Sequence, residues 1–221
     1  GGSDFGVAGL CFGGFFAGLL GHLDDARNRQ GPALELAMNL GQPFSVLFAH
    51  WIASCVHLLR GEPEPALACA RATAALAGEK GYAQYSAWSD LAVAAARFEQ
   101  GANGEAIVAM RQGLDDCATI GTILFNPFWM TYLARALGRD GQIREGLATV
   151  AEALDLIART DERFIEAELH RIRGELLLLG DSPDQTGAQA SFLKAIEVAR
   201  AQKARYWELR AATDLARLWQ G

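Results

Sequence analysis

The sequence lacks most of the patterns that announce catalysis. Its 221 residues contain no Gly-x-x-x-x-Gly-Lys-Ser/Thr, no Gly-x-Gly-x-x-Gly, no His-Glu-x-x-His and no Gly-x-Ser-x-Gly. The common phosphate-cradling, zinc-binding and nucleophile-elbow chemistries are therefore missing, and no enzyme and no cofactor are expected. Cysteine is sparse: Cys11, Cys55, Cys69 and Cys117 form no Cys-x-x-Cys pair. A chain long enough to bury a substantial core needs no staples, so a reducing, cytoplasmic location is expected. Charge is sparse too, at 21% of residues with a net charge of −6, and Lys and Arg are scattered singly. Phosphate backbones are bound by clustered cations that release counterions, so nucleic acid is excluded as a partner at this stage. Disorder is excluded as well, because hydrophobic residues make up 51% of the chain.

One uncharged run, FGVAGLCFGGFFAGLLGHL at 5–23, is long enough to span a bilayer. Glycines interrupt it, no basic segment precedes it and no Ala-x-Ala site follows it. It also falls into the repeat register described next, so a helix buried in a repeat array is expected and a membrane is not.

What is abundant is periodicity. Turn glycines recur at Gly21, Gly61, Gly101, Gly141 and Gly180, at spacings of 40, 40, 40 and 39 residues. Five residues past the first four stand Ala26, Ala66, Ala106 and Gly146, and twelve residues before those stand Gly14, Ser54, Ala94 and Ala134. Seven residues after Ala26, Ala66, Ala106 and Gly146 come Ala33, Thr73, Gly113 and Ala153, and Gly174 and Ala188 continue the pattern. Small side chains at fixed slots are what two antiparallel helices need where their axes approach at the near end of the range of about 8–10 Å. Two helices of about 16 residues, each near 24 Å long, plus two short turns fill one repeat. The spacing predicts first helices near 4–19, 44–60, 83–100, 124–139 and 162–179. Their partners follow near 23–39, 63–79, 103–119, 142–158 and 187–202, and a last helix near 205–219. The expected organisation is a single array over 1–221, with units 1–41, 42–81, 82–122, 123–161 and 162–203 and a terminal helix at 204–221. The run Gly180-Asp-Ser-Pro-Asp-Gln-Thr-Gly187 is expected to be an exposed, mobile loop.

The small slots resemble those of the tetratricopeptide repeat, and Ala188-x-x-x-Phe192-x-x-Ala195 is similar to that family's second-helix pattern. A period of 40 rather than 34 resembles the MalT-like variety. GVAGLCF at 6–12, HRIRGELLL at 170–178 and FLKAIEVARAQKARYWELRAATDLARLW at 192–219 resemble the C-terminal repeats of bacterial regulators. In those regulators a cyclase or DNA-binding domain is joined to a STAND-type ATPase. The resemblance implies an all-α, right-handed superhelical solenoid and a non-catalytic sensor or scaffold for a protein or peptide partner. A small-molecule sensor using the same groove is the alternative. It also implies that the concave side carries Phe48, Trp88 and Phe128 in one rank and Trp51, Leu91 and Arg171 in the next. Arg135 follows, and Arg139, Glu168 and Glu175 flank the C-terminal units. Rings at helical spacing are as often core as groove, so both readings stay open here.

The remaining candidates read as structural. His50, Cys55 and His57 fall within eight residues, yet two of the three sit at slots that tetratricopeptide first helices give to packing aromatics, so no metal is expected. Asp24-Asp25 and Asp115-Asp116 are adjacent pairs that diverge by about 100° on a helix and cannot converge on one atom. An almost wholly apolar first helix and a last helix without a partner leave both ends uncapped, which suggests a homodimer through an end or the groove.

Overall fold

The computed structural model describes residues 2–180 and 182–220. The chain divides into two compact units, Gly1–Thr122 and Ile123–Gly221. In the first, six helices follow one another: α1 (Phe5–Leu20), α2 (Leu23–Asn39), α3 (Pro43–Leu59), α4 (Pro63–Lys80), α5 (Ala83–Glu99) and α6 (Asn103–Ile120). The second holds α7 (Asn126–Arg139), α8 (Ile143–Thr160), α9 (Glu166–Leu178), α10 (Gln185–Ala201) and α11 (Arg205–Gln220), with a 3₁₀ turn at Arg163–Ile165 before α9. No strand occurs among the described residues.

Within each unit the packing repeats. Consecutive helices pair as antiparallel hairpins, and odd-numbered helices also touch the next odd one, α1 with α3 and α3 with α5, then α7 with α9 and α9 with α11. This is the all-α solenoid of helical hairpins that the forty-residue spacing predicts. The apolar run near the N-terminus is α1 in this stack, held against α2 and α3, and among the described residues no helix is long and apolar enough to cross a membrane.

Local chemistry explains the element ends. Asp4 caps α1, its Oδ1 accepting from the backbone N–H of Gly6 at 2.8 Å and of Val7 at 3.2 Å. Pro63 stands at the first position of α4, where the missing N–H has no intrahelical partner to lose. The turns keep a cadence of twenty residues: Gly21, Gly41, Gly61, Gly81, Gly101, Gly121 and Gly141 all have positive φ, a conformation that a Cβ disfavours. Asp161 (φ 58°) fills the next place, and Lys203 (φ 57°) turns the chain into α11. The fifth first-type helix begins at Glu166 rather than near 162. Glu162 lies outside it because its carboxylate accepts the Phe125 N–H at 2.9 Å, which ties the turn before α7 to the turn before α9. In the 180–187 loop, Asp181 lies outside the described residues. Asp184 caps α10 by accepting the Gly187 N–H at 2.8 Å, so that helix starts two residues before the expected Gly187.

The small slots lie where helices meet. Gly14, Ala26, Ser54, Ala66, Ala94, Ala106, Ala134, Gly146, Gly174 and Ala188 are all buried. A Cβ on Gly14 would stand 3.1 Å from the Ala26 carbonyl oxygen, and one on Gly146 would stand 3.2 Å from that of Ala134. At Gly174 it would meet the Phe192 ring at 2.5 Å, closer than carbon atoms allow. Ala66→Leu and Gly174→Ala are each expected to cost about 1–3 kcal/mol through overpacking, read as a lower urea midpoint at unchanged slope. An unchanged midpoint in both would contradict the slot assignment.

Candidate ligand-binding site

The odd-numbered helices carry both groups of candidate residues, rings in the first unit and charges in the second. The rings do form a ladder. Phe12 of α1 meets Phe48 of α3 edge-on at 5.3 Å, and Phe48 lies 5.9 Å from Trp51. The Trp51 and Trp88 rings stack across α3 and α5 at 4.5 Å and 14°. Tyr85 closes the cluster, edge-on to both indoles at 5.7 and 5.2 Å.

This ladder faces inward. Phe48, Trp51, Trp88 and Leu91 expose no more than 6% of their surface, and Phe128 of α7 exposes none. Leu91 fills the space opposite Gly113 of α6, where a Cβ would come within 2.7 Å. The structure therefore packs these five positions away from solvent rather than on an open face, with Leu91 against the partner helix of its own hairpin. At these five positions the slots given to the groove are taken up by packing, whereas Arg135 and Arg171, drawn from the same ranks, line an open pocket.

In the second unit, charge is gathered and partly open. Arg135 and Arg139 of α7, Arg171 and Glu175 of α9 and Arg210 of α11 line a pocket of about 320 Å³ floored by Ile172, Leu176 and Leu178. Behind it lies a buried ion cluster. The Glu168 carboxylate accepts from Arg171 Nε at 2.7 Å and Nη2 at 2.8 Å, a bidentate pair, and from Arg210 Nη1 at 2.9 Å. Arg171 Nη1 contacts Glu175 Oε1 and Asp214 Oδ2, both at 2.6 Å. Burial pushes the Glu168 carboxyl up, but the guanidiniums of Arg171, Arg210 and Arg135 outweigh it and hold the group below the usual carboxylate range. Burial pulls Arg171 down, and Glu168 and Glu175 more than restore it, leaving it above its ordinary value. Arg135 leans over the Tyr132 ring at 5.7 Å, and Arg210 over those of Tyr206 and Trp207 at 5.7 and 5.6 Å. The guanidiniums are thus held in place by acids and rings before any ligand arrives.

Of the residues singled out in the sequence, Arg135, Arg139, Arg171 and Glu175 meet at this pocket, with Glu168 beneath. Arg210 and Asp214 were missed. Asp214 stands forty residues past Gly174, at a slot that every earlier unit fills with a small residue, and that exception was the available signal. The histidines do other work. His57 Nδ1 pairs with Glu62 Oε2 at 2.7 Å, while His50 is half-buried and burial lowers its pKa. Among the described residues no three His, Cys, Asp or Glu side chains group to hold a metal ion. Burial pushes the Cys11 thiol up to about 12 and Cys55 higher still, which keeps both protonated and inert.

No family model matches the chain, and no curated protein matches it. Among solved structures it is similar to Bacillus thuringiensis PlcR, crystallised in complex with the peptide PapR7 and DNA. That likeness has a TM-score of 0.76 at 16% identity over 93% of this chain and 73% of the other. The exclusion of nucleic acid drawn from composition does not stand, because a protein of the same fold is solved with DNA. A net charge of −6 averages over the whole chain and is silent on local gathering such as the four arginines here.

Two outcomes test these placements. Trp88→Ala is expected to cost about 3–5 kcal/mol in chemical denaturation, the loss for a buried ring rather than an open one. Glu168→Gln is expected to cost about 3–5 kcal/mol, because it removes the buried carboxylate that both Arg171 and Arg210 grip. The sign with pH follows from the depressed value of Glu168. Its stabilisation is complete above the unfolded-chain value of about 4.3 and drains away as pH falls through the folded one. Glu168→Gln should flatten the acid limb of the stability profile, and a variant with an unchanged limb would contradict the assignment.

Proposed function

We propose that this chain is a non-catalytic interaction and regulatory module that takes a peptide bearing acidic groups on the α7, α9 and α11 face. The carrying observation is the convergence of Arg135, Arg139, Arg171 and Arg210 from three successive odd helices on one pocket. Guanidinium forks match planar oxyanions, and their immobilisation by Glu168 and by aromatic faces lowers the entropy lost on binding. The fold supports the reading, since PlcR is solved with a peptide. The resemblance to repeat regions of bacterial ATPase and cyclase regulators supports a place as their sensor or scaffold. There, occupancy of this face would bias a switch elsewhere in the parent protein.

A small-molecule ligand is the second reading. A volume of about 320 Å³ favours it, because that holds a compact group and not a folded element. The stacked indoles of the first unit, in either case, hold successive hairpins together.

The test is calorimetric titration of the chain with a peptide carrying several glutamates between leucines. Binding is expected to weaken tenfold or more in Arg135→Gln/Arg139→Gln, with the melting temperature nearly kept because Arg139 is exposed and Arg135 partly so. No binding to such peptides, or binding indifferent to both arginines, would count against this role.

A further inference from the structure

We infer that the outer face of α1 is a self-association surface, taking the same face of a second copy of this chain antiparallel to it about a two-fold axis. The surface belongs to the first unit, so the inference stands apart from the peptide reading of the second. Phe5, Phe12, Phe16 and Leu20 expose 95%, 36%, 48% and 39% of their surface. With Gly9 and Gly13 they fall within about 100° of arc, since an α-helix advances about 100° per residue. No other helix among the described residues exposes more than two large apolar side chains.

The same side of the next two first-type helices is where a neighbouring hairpin docks. Ser45 of α3 stands forty residues past Phe5, and its Oγ accepts the Asp4 N–H at 3.0 Å. Ala49, Ile52 and Val56 follow at the slots of Gly9, Phe12 and Phe16, and all three are buried. In α5, which packs against α3 and α4, those slots hold Ser89, Ala92 and Ala96, again buried. On α1 it is the opposite side that is engaged: a Cβ on Gly18, about half a turn round from the exposed face, would lie 4.0 Å from Leu59 of α3. Slots that receive a helix elsewhere in this unit are therefore apolar and uncovered on α1.

A second α1 fits this face because large and small residues match under a two-fold axis. When the axis passes between Phe12 and Gly13 of an antiparallel pair, Phe12 faces Gly13, Phe16 faces Gly9 and Phe5 faces Leu20 of the other copy. Each central ring is thus set against a glycine. A Cβ on Gly9 would meet nothing within 4 Å, so the space for the Phe16 ring is open, and at Gly13 the nearest atom is the flexible tip of Arg29. The helix carries no Asp, Glu, Lys or Arg, so nothing in it selects a partner of opposite charge. With a ring worth about 200 Å², the face offers roughly 400 Å² of apolar surface per copy, about half of what each partner buries in a standard complex. A micromolar rather than nanomolar dimer is expected.

Sedimentation of the full chain over about 1–100 μM tests the inference. The expected result is a monomer–dimer equilibrium with no larger species. Gly9→Lys and Phe16→Glu, both at exposed positions and so expected to keep the melting temperature nearly unchanged, should each weaken the dimer at least tenfold. Mixing the two variants is expected to restore the dimer, because positions 9 and 16 face each other across the axis and the introduced charges are of opposite sign. A chain that stays monomeric, or that forms open-ended aggregates in place of a dimer, overturns the proposal. A dimer that survives both substitutions overturns it too, since it is built on another surface, and a mixture that stays monomeric overturns the two-fold register. Flotation of the monomer with phosphatidylcholine vesicles, lost in Phe16→Glu, assigns the face to lipid and overturns the self-association.

Discussion

Two helices can run side by side at close range only where neither presents a bulky side chain at the crossing point, and this chain meets that condition once per hairpin. The Ala134 carbonyl would stand 3.2 Å from a Cβ on Gly146, and Ala66, Ala94 and Ala106 are sealed from solvent at the equivalent places. With the axes held that close, larger residues on the flanks fill the gaps between one hairpin and the next. Phe15, Trp51, Phe98 and Phe192 are thereby buried almost completely. Alanine and glycine supply little of the apolar area themselves. They set the distance at which the aromatic and aliphatic residues can interlock.

The hairpin register was legible because it depends on residue size at fixed intervals, a property a sequence displays directly. The direction in which a ring points was not. Phe48, Trp88 and Phe128 recur with the period expected of a groove, yet all three are buried, and Trp88 stacks on Trp51 at 4.5 Å between α3 and α5. Periodicity places them on the side of the helix toward the neighbouring odd helix, and a rotation of one position separates lining from packing. The second set of turns was equally readable and was passed over. Gly41, Gly81 and Gly121 repeat at 40-residue spacing as faithfully as the set that defined the units. Asp161 breaks this second series, since its left-handed backbone is demanded by the turn and is invisible in residue type alone.

The candidate site was half legible for a different reason. Arg135, Arg171 and Glu175 follow the helical repeat, whereas Arg210 and Asp214 belong to a terminal helix whose slots depart from it. What joins them is charge compensation. A buried Glu168 is tolerable because two arginines grip it, and a buried Arg171 because three acids surround it. Such a cluster contributes little net stability compared with apolar packing, but it fixes the rotamers of its members. The cluster thereby gives α9 and α11 a single mutual register within their unit and aims the guanidiniums at one spot.

The twenty-residue cadence of left-handed turns also governs how the molecule assembles. Every helix docks on a neighbour at most two elements away in sequence, so little loop entropy is lost before contacts form, and structure can spread from any hairpin outward. Opening follows the same route in reverse. Copying or deleting a forty-residue segment between two such turns would join like to like, so the architecture can lengthen or shorten by recombination without designing a new junction.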